Sequence, residues 1–298
     1  MNRDIAPNPA SSPAHMAAQA APAVFVVLWS TGFVATKYAL VGAEPLTYLM
    51  WRMILVVALM AVIVAIWRPR WPDWKGVGHN AVAGILVHGF YLAGTAIALA
   101  HSVPVGLSAL IPGLQPILMS TIANRWLGER VTRLQWIGLL LGLIGVVMIL
   151  HGRPMSGEVG WGWFASGVSL VSITLGALYQ KRFCHNIDWR TGNLVQYIAV
   201  AAFFALGSWC FETGEVRWTQ EFVLSLFWLA VVLSIGSIAV LYWLIKRQGA
   251  AQVASLFYLV PAVTALMAYV LFGERLDTLA ILGMAICAAA VGLVVRRA

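Results

Sequence analysis

The sequence predicts an all-α polytopic membrane protein whose ten transmembrane helices form two inverted five-helix repeats. Three observations carry that expectation. The 298 residues are 61% hydrophobic and 10% charged, with a mean hydropathy of +0.85, whereas a soluble domain carries about a quarter charged residues. So much apolar side chain requires lipid as its solvent. Ten apolar stretches of about 18 residues or more, the length that crosses hydrocarbon, run through the chain. Finally, the sequence echoes itself without a gap at a shift of 145 residues.

Composition also excludes several classes. A net charge of +8 would suit a nucleic-acid partner, but the basic residues sit in short loops between apolar spans, as the positive-inside rule requires, and no nucleic-acid groove is expected. Cys184, Cys210 and Cys287 have neither disulfide nor metal-ligand spacing, so no metal and no cofactor is expected. P-loop, dinucleotide, HExxH and GxSxG motifs are missing from the sequence. Residues 1–21, rich in Ala, Pro and Ser, are expected to form a disordered tail rather than a cleaved signal, because the apolar run from Val24 is the first span itself.

The spans are expected near 22–42, 46–67, 80–100, 104–126, 133–151, 161–182, 192–211, 222–244, 251–272 and 278–295. Span one carries Trp29, Ser30 and, near its end, Lys37. Span two carries Arg52. Both cations either snorkel to the interface or line a cavity mouth that attracts a carboxylate. Span three contains His88, flanked by Gly84, Gly89 and Tyr91, where an imidazole is either a packed hydrogen-bonding group or lines a wet cavity. Span four is interrupted by Pro112 and Pro116 around Gln115, and span nine by Pro261 beside Tyr258. Each proline frees a carbonyl, a break tolerated in lipid where neighbours re-satisfy the backbone.

Spans five and ten carry small residues four apart, Gly138 with Gly142 and Gly283 with Cys287, a spacing for close packing within the chain or in a weak homodimer. Span six offers Trp163, Ser172, Tyr179 and Gln180, and span eight Tyr242 and Trp243. Span seven completes the count, and no connection between spans is long enough for a soluble domain. Trp67, Trp71, Trp74, Trp126, Trp136, Trp161, Trp189 and Trp218 fall near span ends, where indoles suit the headgroup layer.

The echo places Pro116 on Pro261 and Leu127-Gly128-Glu129-Arg130 on Phe272-Gly273-Glu274-Arg275. Residues 22–151 and 161–296 are thus read as first and second repeats. Five spans is an odd number, so the second copy enters the bilayer upside down. Charge agrees: 14 of the 19 Lys and Arg residues fall on one side, four on the other, and Arg52 lies within a span. Both termini are therefore expected to be cytoplasmic, with Glu129 and Glu274 on opposite faces. Inverted repeats commonly underlie carriers with a site near the midplane.

Together, Trp29-Ser30-Thr31-Gly32-Phe33 with Lys37, Trp51-Arg52, and the blocks Pro112–Arg130 and Pro261–Arg275, each ending in Gly-Glu-Arg, resemble the drug/metabolite transporter superfamily. Within it the chain looks like an EamA-type exporter over about residues 22–296, similar to bacterial exporters of aromatic amino acids and metabolites. That resemblance implies a multi-pass protein of the bacterial inner membrane that exports small amphipathic metabolites. Amino acids, aromatic ones above all, would be moved by alternating access, with the lipid bilayer and a small molecule as partners.

From the residues themselves, all 11 carboxylates lie in tails, loops or span ends, which argues against a carboxylate-coupled pump. The candidate substrate-binding residues are Trp29, His88, Tyr91, Gln115, Trp163, Tyr179, Gln180, Tyr242 and Tyr258, a mostly apolar set with few hydrogen-bonding groups. The middle of the helices offers no evident cation for a sugar phosphate. A broader drug or nucleotide-sugar carrier is the rival. An intramembrane enzyme would need a nucleophile–base pair that does not cluster here, and a non-transporting scaffold would show no solute flux.

Overall fold

The computed structural model describes residues 13–119, 122, 133–151, 157–237, 240–241, 243–244, 247, 256–257 and 259–295. Among the described residues the chain is helical, and its extended pairing is confined to an isolated bridge between Ala43 and Val216. We label the helices α1 Pro13–Ala39, α2 Pro45–Trp67, α3 Trp74–Ala100, α4 Val105–Met119, α5 Arg133–Leu150, α6 Gly157–Phe183, α7 Trp189–Phe211, α8 Gln220–Ser237, α9 Leu259–Phe272 and α10 Thr278–Val295. Six are long and apolar enough to cross a membrane, namely α1 from Ala20, α2, α3, α6, α7 and α8. The others present shorter apolar stretches.

One expectation is corrected at the start. α1 begins at Pro13, inside the segment read as a disordered tail. Pro13 suits the first helical position, and Ala14, Ala17, Ala18, Ala20 and Ala21 are strong helix formers. The expectation of disorder rested on the Ala, Pro and Ser content and the lack of a periodic apolar pattern, which alanine helix propensity overrides from Pro13 on.

Helix ends follow from local chemistry. Asp73 accepts the Gly76 amide at the start of α3, Asp188 the Arg190 amide at α7, and Thr219 the Phe222 amide at α8. The prolines of span four break it as expected: the backbone turns at Leu114, whose amide bonds the Ile111 carbonyl, between Pro112 and Pro116. Pro261 stands in the first turn of α9, 3.5 Å from where a Cβ on Gly113 would lie, so α9 meets α4 beside the break in α4.

The helices pair as α2 with α7, α4 with α9, α5 with α10, α3 with α6, and α1 with α8 and α9. If α1–α5 are exchanged for α6–α10, the first three pairings map onto themselves. The α3–α6 pairing maps onto α8–α1, and α1–α9 maps onto the α6–α4 contact, also present. α5 and α10 approach closest. A Cβ on Gly145 would stand 2.7 Å from the Gly283 carbonyl oxygen and 2.5 Å from Cys287 Sγ, and the Cys287 thiol lies 3.6 Å from the Gly142 carbonyl it donates to. Gly142 and Cys287 are 145 residues apart, so repeat-equivalent positions touch. The small residues of these helices therefore pack within one chain.

Outward-facing positions such as Leu140, Leu143, Val147, Leu266 and Val270 are exposed and apolar, as a lipid-facing surface must be. Trp67, Trp71, Trp74, Trp136, Trp161, Trp189 and Trp218 are exposed at or beside helix ends.

Candidate functional site

A cavity of about 200 Å³ lies between the halves, lined among others by Trp29, Arg52, His88, Tyr91, Tyr197 and Ser234. Two irregular helical turns shape it. Residues Ile85–Phe90 in α3 and Trp228–Ser237 in α8 wind wider than an α-helix, in the i→i+5 manner, a distortion that recurs at functional sites. The first carries Val87 and His88 to the cavity wall, the second Leu233 and Ser234. The 145-residue shift lays residues 85–90 on 230–235, inside the second wide turn. The widened turn frees carbonyls that side chains then satisfy: the Ser234 hydroxyl donates to the Leu229 carbonyl at 2.9 Å and Ser237 to that of Val232 at 3.4 Å.

Arg52 is 6% exposed. It stands two turns into α2, roughly 10 Å along the helix from Pro45, and does not snorkel to the interface. One guanidinium nitrogen donates to Ser234 Oγ at 3.3 Å, and Nε has no hydrogen-bond partner. This corrects the reading that the helix interiors hold no cation. The positive charge bears on Tyr48, His88 and Tyr91 around it. Tyr48 donates to Thr36 Oγ1 at 3.2 Å, and Thr36 in turn to the Gly32 carbonyl at 2.8 Å. Aromatic rings close the apolar side. Trp29 meets Phe257 edge-on at 5.0 Å, and His88 lies 5.0 Å from the Tyr197 ring.

Of the residues picked from sequence, Trp29, His88 and Tyr91 share this cavity. Gln115 does not line it, but its amide donates at 3.4 Å to the carbonyl of Ile173, which does. Trp163 is buried in an apolar cluster with Ala98, Val103 and Leu107. Tyr179 pairs with His79, hydroxyl to Nδ1 at 2.8 Å, and packs on Phe183. Gln180 lines a separate polar recess with Asn80 and Gln196. Both lie in the last turn of α6 and not at mid-span. Tyr242 and Tyr258 lie outside the described residues. Sequence reasoning did not place Arg52, Tyr197 and Ser234 in the set; the weighed cavity-mouth reading of Arg52 was the available signal.

Polar contacts tie helices together at one end of the bundle. Lys37 Nζ at the end of α1 meets Glu274 Oε1 at 2.5 Å and lies 4.3 Å from the centre of the Phe272 ring. The other oxygen of Glu274 accepts the Val105 amide at 2.9 Å, capping α4. Gly273 makes this possible: at φ +66° it ends α9 in the left-handed region, and the chain turns back so that the Glu274 amide bonds the Ala268 carbonyl. The Gly-Glu-Arg motif therefore joins three helices through its glutamate. The first copy, Gly128-Glu129-Arg130, lies outside the described residues.

At the same end Glu212 accepts the Leu46 and Thr47 amides and the Thr47 hydroxyl, at 2.8, 2.7 and 2.7 Å. Glu44 accepts from the Thr213 amide and hydroxyl in return. The opposite end carries Arg68, Arg70, Lys75, Lys181, Arg182 and Arg190 at or beside the ends of α2, α3, α6 and α7.

A larger void of about 790 Å³ opens sideways between α4, α9 and α10. It is walled mainly by apolar groups such as Leu110, Ala265 and Met284, with Glu274 and Arg275 at its edge. Its hydrogen-bonding groups, Tyr269, Glu274 and Arg275, stand on the end of α9 and the turn after it, and Glu274 is already engaged by Lys37 and Val105, so size does not make it the site. Among the described residues no three His, Cys, Asp or Glu side chains group as metal ligands.

Comparison with known proteins agrees with this architecture. The family model described as "EamA-like transporter family" matches residues 20–151 and again 160–296. The chain is 28% identical over 283 residues to "Uncharacterized transporter YvbV" of Bacillus subtilis, covering 91% of this chain and 89% of that one. It is 27% identical over 268 residues to a "Probable amino-acid metabolite efflux pump" of Escherichia coli K12, covering 87% and 88%. A solved structure described as "Crystal structure of protein" has a TM-score of 0.64 at 21% identity, over 95% of this chain and 98% of its own, and supports the fold alone.

Proposed function

The chain belongs to the EamA-like transporter family, and from that premise we propose that it exports small amphipathic metabolites, amino acids and particularly aromatic ones, across a bacterial inner membrane. In this reading ten helices form two five-helix repeats, residues 22–151 and 161–296, inverted across the bilayer, and the halves rock around the Arg52–His88–Tyr91 cavity. The observation that carries it is a mixed apolar and polar cavity between the halves; the Lys37–Glu274 ion pair at one end of the bundle supports a tie that breaks and re-forms. The self-mapping helix pairs, the paired wide turns and the Gly142–Cys287 contact support the inverted repeat. The E. coli relative's name points the same way for amino-acid metabolites.

The positive-inside rule puts the basic end, with both termini, in the cytoplasm. The Lys37–Glu274 end then faces outward. At the shift of 145, Lys37 corresponds to Arg182 and Glu274 to Glu129. The proposed cycle alternates the two ties: Lys37 with Glu274 closes the outer side, and Arg182 with Glu129 closes the inner side. A cavity of about 200 Å³ is below the roughly 300–1,000 Å³ of sites for drug-sized ligands, which argues against nucleotide sugars.

Counterflow in proteoliposomes with labelled Phe, Trp and Thr and a sugar control tests the proposal. Protein-dependent exchange of Phe and Trp is expected. The absence of exchange for all three amino acids would remove the amino-acid reading.

A further inference from the structure

We propose that the Arg52 cavity is a carboxylate-binding site that takes a small monocarboxylate with an apolar or aromatic body. This rests on the transport reading and narrows it to a ligand class. An unpaired cation buried in protein is costly and needs a counter-charge or a full set of hydrogen bonds. Arg52, 94% buried, has neither among the described residues: Nε lacks a partner, and the groups its other nitrogens meet, the Ser234 and Tyr48 hydroxyls, are neutral. The Ser234 hydroxyl spends its own proton on the Leu229 carbonyl, so it can only accept from Arg52. It therefore orients the guanidinium without neutralising it.

The described residues do not supply the anion. No carboxylate lines the cavity among the described residues, and the nearby acidic groups are engaged elsewhere: Glu44 with Thr213, Glu212 with the start of α2, and Glu274 with Lys37 and Val105. A planar guanidinium with an unused N–H edge matches a carboxylate. A single arginine is a poor match for a phosphate dianion, and the volume is small. The remainder of the wall, Trp29, Phe33, Met53, Leu92 and Leu233, suits an apolar body. The same lining has no acid to hold an amine, so the carboxylate is the group recognised, and an α-amino group is tolerated through hydroxyl oxygens such as those of Tyr91 and Thr95.

The test is calorimetric binding to the purified full chain in detergent, which does not depend on flux, with three probes sharing a phenethyl body: 3-phenylpropionate, L-phenylalanine and phenethylamine. We expect the two carboxylates to bind and phenethylamine to bind at least about tenfold more weakly, the worth of a charge-assisted pair. Arg52→Gln should weaken phenylpropionate by a similar factor, with Arg52→Lys intermediate because it keeps charge but loses the fork.

If Arg52→Gln fails to fold, the probe series on the unaltered protein and Arg52→Lys decide. Equal binding of amine and acid, unaltered acid binding by Arg52→Gln, or no binding of any probe overturns the proposal. Acid binding without counterflow of any amino acid would overturn the transport reading and leave this site standing. Flux that ignores the carboxylate would do the reverse.

Discussion

Replacing Glu274 with Gln should open the tied end of the bundle. The change keeps the side chain's size and an oxygen that can still accept the Val105 amide, so α4 stays capped. What it removes is the charge that holds Lys37. A hydrogen bond to a charged group contributes about 1.5–3 kcal/mol. The Lys37 side chain is 36% exposed and that of Glu274 17%, so solvent screening draws the figure toward the lower end, about 1–2 kcal/mol. With 1.4 kcal/mol to a factor of ten, the population open at that end should rise about 5- to 30-fold.

The assay is labelling of a single cysteine at Val87, on the cavity wall, in a background with Cys184, Cys210 and Cys287 replaced. A membrane-impermeant maleimide is added from the Glu274 side. Labelling of the Glu274→Gln protein should be faster by that factor. The double variant with Lys37→Met should be no faster than either single one, since both remove the same interaction. An unchanged rate, or two effects that simply add, would refute the idea that this ion pair gates the cavity.

Other expectations follow from the same contacts. Gly145→Ala puts a methyl 2.7 Å from the Gly283 carbonyl oxygen and should force α5 and α10 apart, costing about 1–3 kcal/mol; an unshifted Tm would show that the interface yields freely. Glu212→Ala removes three acceptor contacts from the start of α2 and should destabilise it by about 1–2 kcal/mol. Glu212→Gln should lose less, and hydrogen exchange at Leu46 and Thr47 reads both. Burial raises the Cys184 thiol above its ordinary range, while Cys210 is exposed. Below its folded pKa Cys184 stays protonated and poorly reactive, so Cys210 should alkylate first at pH 7 and the gap should narrow as pH rises. A constant ratio across pH would contradict the burial argument.

Much of the helical frame could be read from the sequence because lipid imposes simple rules. The second span, expected at 46–67, is Pro45–Trp67, ended on one side by a proline and on the other by an indole. The Gly-Glu-Arg turn was visible as a motif, and its glycine has a physical reason in the positive φ of Gly273. Depth and rotation were not legible. α2 is apolar nearly all round, so hydropathy cannot say whether Arg52 faces the interface or the interior; only its packing against α8 decides that. α6 ends at Phe183, one residue past the end expected for span six, so the position of Tyr179 and Gln180 at the end of the helix was legible in their numbers. The wide turns of α3 and α8 leave no mark in an apolar run.

The most direct measurement is sidedness. Single cysteines at Glu129 and Glu274, in the cysteine-replaced background, are probed with impermeant maleimide in right-side-out and inside-out vesicles. Two inverted halves around one cavity require that Glu274→Cys react from the outside and Glu129→Cys from the inside. Reaction of both from a single face would contradict the inverted architecture and the gated cavity built on it.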